Sequence, residues 1–108
     1  MANTFTSYVN KDVGTSAATV VTVGSSTQTT VIGMSCANTS TSPVTVDAYI
    51  TRSSVNYYLV KNATVPVGSS LVIVGGEQKV VLTTSDVLKV VSSAAASVDA
   101  VTSVLNIT

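Results

Sequence analysis

"VTVDAYITR", Val44–Arg52, alternates apolar and polar residues along its length. Val44, Val46, Ala48 and Ile50 fall on one parity; Thr45, Asp47, Tyr49 and Thr51 fall on the other. Side chains of an extended strand point alternately to opposite faces, so a period of two predicts a strand with one buried and one wet face. Towards the N-terminus, "TVIGMSCAN" (Thr30–Asn38) reads as a second strand, closed by the turn residues "TSTSP". Ile32, Met34 and Cys36 share a parity there and are expected to face the core. Towards the C-terminus, "VNYYLVKNATV" is a strand ending at "PVGS", where Pro66 and Gly68 fit positions i+1 and i+3 of a type I turn. "SLVIV" is a short strand closed by Gly75-Gly76, a favoured tight-turn dipeptide. "KVVLTTSDVLKVVSS" supplies two strands around "TTSD", Ser92–Ser97 reads as a loop, and "AVTSVLNIT" is a final strand.

The first residues carry a weaker signal. Thr4–Val13 and Ala18–Val23 are strand candidates separated by "GTS" and followed by "GSSTQ". Residues 1–29 are therefore expected to form an N-terminal arm or edge hairpin, and residues 30–108 a sandwich domain. The fold class is all-β: an antiparallel β-sandwich or jelly roll of about seven or eight short strands. Composition agrees. Valine, threonine and serine dominate; the first two are β-branched and suit a pleated sheet, while the hydroxyls keep an outer face wet.

Charge is scarce. Five basic and five acidic residues cancel, and 9% of the 108 residues are charged, against about 25% in an average domain. Without a basic stripe the chain is not expected to bind nucleic acid. No apolar run approaches the roughly 18 residues of a membrane span, so no membrane partner is expected. "MANTFTSYVNKDV" lacks a basic segment followed by an apolar run, so the chain is expected to stay in the cytoplasm where it is made. A surface poor in Lys and Glu suits burial against partners.

Chemistry-bearing residues are few. There is no histidine, which excludes an imidazole-based triad and a His-ligated metal. The carboxylates Asp12, Asp47, Glu77, Asp86 and Asp99 sit mainly in apparent turns or beside lysines. Asp86, in "TSDVL", is expected to accept backbone N–H groups at the start of a strand. No catalytic, metal-binding or cofactor-binding residues are assigned, and the chain is not read as an enzyme. Cys36, alone, cannot form an internal disulfide and is expected to pack as a small hydrophobe. Asn38, Asn62 and Asn106 begin glycosylation sequons of the kind a Ser/Thr-rich chain produces by chance. Of the aromatics, Phe5, Tyr8, Tyr57 and Tyr58 are the candidate partner-binding residues. Tyr57 and Tyr58 are expected on opposite faces, one in the core and one exposed.

"ANTSTSPVTVDAYI", "NYYLVKNATVPVGSSLVIVGGEQKVVLTTSDVLKV" and "SSAAASVDAVTSVLNI" resemble the small β-sandwich virion proteins of tailed bacteriophages. The likeness spans Val31–Thr108: an Asn-containing turn between strands, a "YL" strand, a "PxGSSL" turn, and a "Leu…Asp-x-Leu-x-Val" strand before a closing strand. Ser85 stands where that pattern has a glycine. The resemblance implies a non-enzymatic virion protein, foremost a capsid decoration or cement protein that binds the major capsid protein as a homotrimer. A neck, tail or fibre component is the alternative within the virion. From a different class, a glycan-binding adhesin-like module would use Tyr57 or Tyr58 beside Asn56.

Overall fold

The computed structural model describes residues 2–75 and 78–108. Among these the chain forms nine strands and no helix: β1 (Asn3–Val13), β2 (Ala18–Thr22), β3 (Gln28–Asn38), β4 (Val44–Arg52), β5 (Val55–Val65), β6 (Ser70–Val74), β7 (Val80–Leu82), β8 (Val87–Ser92) and β9 (Val98–Ile107). They make two antiparallel sheets. The first runs β1-β9-β3-β6, with β7 continuing along β3 beyond β6; the second runs β2-β8-β4-β5. The β4–β5 hairpin stays within one sheet, whereas most other links cross between sheets and close the sandwich.

The core lies between the inner faces and is built largely of valine. Val31, Met34 and Cys36 from β3 and Ala100 and Val104 from β9 meet Val46, Ala48, Leu88 and Val90 from the second sheet, all essentially without exposure. Each fully buried aliphatic side chain of valine size or more contributes about 1.5–3 kcal/mol by leaving water. The alternation expected in β4 is present: Val44, Val46 and Ala48 are buried and their neighbours are not.

Three local readings are corrected. A bulge between Val31 and Gly33, opposite Val104 and Ser103, changes the parity of β3. Val31, not Ile32, therefore joins Met34 and Cys36 in the core, and Ile32 is only half-buried. The turn after β5 is displaced by one residue: Ser69 N–H donates to the Pro66 carbonyl at 3.2 Å. Gly68 then sits at i+2 with φ of 70°, the type II position that favours glycine. Finally, residues 3–22 form neither a free arm nor a hairpin. β1 pairs with β9 and β2 with β8, so the two strands edge different sheets. Gly76 of the expected Gly75-Gly76 turn lies outside the described residues.

Candidate interaction surface

The four aromatic candidates do not converge. Phe5 stands on the outer face of β1 and is 76% exposed, while Tyr8, on the opposite parity, packs half-buried against the core. Tyr57 and Tyr58 lie on β5 in the other sheet and point to opposite faces, as expected. Neither is buried, however, which corrects the assignment of one to the core: they are 56% and 45% exposed. β5 is an edge strand over a narrow sandwich, so its inward parity is only partly roofed.

Each tyrosine has its own surroundings. The Tyr58 ring lies 5.0 Å from that of its cross-strand neighbour Tyr49, at 44°. Lys61 Nζ sits 4.6 Å above the Tyr58 ring and 3.6 Å from Asp47 Oδ2. Tyr57 lines a cleft with Ile50, Arg52 and Val81 on the open side between the sheets. There the Arg52 guanidinium grips Asp86: Nε donates to Oδ1 at 2.9 Å and Nη2 to Oδ2 at 2.6 Å. Thr83 N–H also donates to Asp86 Oδ2, at 2.9 Å. The Asp86 carboxyl is held below the usual carboxylate range, first by the Arg52 hydrogen bonds and, against the opposing effect of burial, by Thr83.

Asp99 and Asp47 are also engaged. Asp99 accepts from Asp12 N–H and from Lys11 Nζ, each at 3.0 Å, and its pKa is lowered in that order of cause. Asp47 Oδ1 accepts from Asn62 N–H at 2.7 Å. Glu77 lies outside the described residues. Among the described residues no group of three or more His, Cys, Asp or Glu side chains gathers as a metal site would. Cys36 is fully buried, and burial pushes its thiol up to about 11. Of the sequons, Asn38 is enclosed, its side-chain amide donating to the carbonyls of Ser42 and Val65. It holds the β3–β4 turn and is not an acceptor site.

Sequence reading missed the outer face of the first sheet. Val9, Val101, Ser35 and Val72 are consecutive cross-strand neighbours and make one row across all four strands. Val9 is 74% exposed and Val72 65%. Phe5 and Leu105 pair in a second apolar row, and Ser7, Ser103 and Gly33 form a row of small residues between the two. Along β1 and β9, charge enters at one end, as the Lys11–Asp99 pair. A signal was present in "VDAVTSVLNI": Val98, Ala100 and Val104 occupy one parity, and Val101, Leu105 and Ile107 the other. A strand apolar on both parities has both faces fit for burial.

The edges are the second feature. Ala2 and Thr108 exchange both backbone hydrogen bonds, at 3.1 and 3.0 Å. By alternation along the antiparallel ladder, the N–H groups of Phe5, Ser7 and Val9 point away from β9 to the open edge. From Asn3 to Asn10, β1 has no charge, no proline and no bulge, the devices that normally blunt an edge. On the opposite edge, Asn38 N–H donates to the Ser69 carbonyl. The same alternation turns the N–H groups of Ser70 and Val72 outward.

No protein-family model matches the chain, and no curated protein matches it. A solved structure of Bacillus endospore appendages, described as a family of disulfide-linked pili, superposes on 99% of this chain and 87% of its own, with a TM-score of 0.57 and 18% identity. At that identity the likeness shows the fold alone, an all-β sandwich. It corrects the functional expectation. The capsid decoration role, with its virion and glycan-binding alternatives, is overturned, because the matching fold is that of a bacterial appendage and not of a virion. The residues behind the phage resemblance are turn and strand residues, which antiparallel sandwiches in general require.

Proposed function

We propose that the chain is a non-enzymatic structural subunit that polymerises without covalent links, its sheet edges joining copies of itself into a fibre. The observation that carries this reading is the long, unblunted edge of β1 at one side of the first sheet, with outward N–H groups on β6 at the other. Pairing β1 of one copy with β6 of the next joins unlike edges, and a head-to-tail contact that does not close on itself propagates into a filament. The pilus described for the similar structure supports a repeating assembly, with one difference. Cys36 is buried, so disulfide links between subunits have no thiol here and the contacts are backbone hydrogen bonds and apolar packing. Repetition adds many weak contacts into a stable whole.

The test is electron microscopy and light scattering of the purified chain beside Ser70→Pro, which removes one outward edge donor at the first position of β6, where proline is tolerated. Ordered filaments from the native chain, and at least about tenfold fewer from a folded Ser70→Pro chain, are expected. A closed homotrimer, the state that the phage-protein resemblance implies, or a chain that stays single at high concentration would overturn the reading.

A further inference from the structure

We infer that the outer face of the first sheet is a second contact surface, on which another copy of this chain packs face to face. This goes beyond edge-to-edge growth and does not depend on it, because it uses side chains of the face and not backbone groups of the edge.

Size points to a partner as broad as the sheet itself. Four strands at about 4.8 Å spacing are about 19 Å across, and Asn3–Lys11 runs about 30 Å at roughly 3.4 Å per residue. The face therefore offers a little under about 600 Å² per copy, and two copies bury about 1,100–1,200 Å², the lower bound for a specific interface. A single helix, about 10 Å wide, would leave half the face wet. Only full coverage reaches the area that a stable contact needs.

Charge and relief point to the same face of a second copy. Among the described residues the face has no ionisable side chain between the rims, and the chain's net charge is zero, so copies approach without repulsion. An unlike partner would find no charge pattern to recognise. The surface is a ridge, a furrow and a ridge. Val9, Val101 and Val72 make one ridge with a dip at Ser35, Phe5 and Leu105 the other, and Ser7, Ser103 and Gly33 the furrow. Shallow hollows of about 260 and 360 Å³ open on the furrow, both lined by Ser103. Rows on one face are about 6.8 Å apart. A two-fold axis running along the strands, between β9 and β3, can thus set Val101 of each copy over Ser35 of the other and Val9 over Val72, burying the whole face reciprocally. Two sheets with the same hand of twist stack in this aligned fashion at about 10 Å.

Sedimentation equilibrium in the Ser70→Pro background, where edge growth is blocked, tests the inference. That chain is expected to form dimers at about 50 µM. Adding Val101→Lys or Val101→Glu, at a site already 49% exposed, is expected to weaken dimerisation at least about tenfold. An equimolar mixture of the two is expected to restore it, since opposite charges then meet across the axis. The mixture also separates lost pairing from lost folding. Single chains in the Ser70→Pro background, or dimers indifferent to both substitutions, or a mixture that stays monomeric, would overturn it. Filaments without face pairing, or pairs without filaments, tell the two proposals apart.

Discussion

Asp86 is the one buried charged side chain among the described residues, 1% exposed. Taking a carboxylate out of water is costly unless its oxygens are filled, and here both are, by Arg52 and by the Thr83 backbone and hydroxyl. The group ties the end of β4 to the β7–β8 turn. Its pKa is lowered on folding, so the unfolded chain takes up the proton first as pH falls. The stabilisation is complete above the unfolded value of about 4 and is lost as pH drops through the lower folded value. Thermal melts from about pH 7 to about pH 2 are expected to show the native Tm falling in that lower window. Asp86→Asn keeps an oxygen for Thr83 N–H but loses the charge. It should melt several degrees lower at neutral pH, with a flatter acid limb; a limb parallel to that of the native chain would exclude Asp86 as its source. Asp99 titrates in the same direction but is open to solvent, where screening reduces what it adds.

At the scale of elements, the β4–β5 hairpin carries a local conflict. Arg52 pairs with Val55 across a two-residue turn, and Ser53 and Ser54 both have positive φ, 52° and 64°. That is the type I′ turn, for which Asn-Gly is favoured. Ser53→Asn with Ser54→Gly is expected to stabilise the fold by about 0.5–1 kcal/mol, read as a higher urea midpoint at unchanged slope. The Ser-Ser pair also shows why some elements were legible in the sequence and others were not. Val44–Ile50 announces its strand because one face is buried and the other wet. "RSS" leaves its link legible between the two strands but hides the turn type, because serine has no marked φ preference. Ile32 was misplaced because a bulge depends on what β9 does across the ladder, not on β3 itself. Asp86 as a turn acceptor was readable locally; Arg52 as its partner was not, since they meet only once β4 lies beside β8. The aromatic candidates drew attention by residue type. The face of Val9, Val101, Ser35 and Val72 depends on four strands distant in sequence coming side by side.

The whole molecule measures 45 × 27 × 22 Å and balances five positive against five negative charges. Three acids, Asp99, Asp86 and Asp47, already hold their cations at 2.6–3.6 Å within the chain, so little charge is left to steer one copy towards another. Association through backbone edges and an ion-free face then has a characteristic response to salt. Raising sodium chloride from about 0.1 M to about 1 M shortens the screening length from about 10 Å to about 3 Å. A contact held by charge would weaken many-fold over that range. Here the concentration at which the chain begins to assemble, measured by light scattering, is expected to stay level or fall, and sulfate should lower it further by strengthening apolar burial. Assembly that dissolves as chloride rises would mean that the Lys11–Asp99 and Lys61–Asp47 pairs exchange partners between copies, and that the contacts lie at the charged rims. Assembly that persists would leave the uncharged edge and face as the surfaces able to hold copies together.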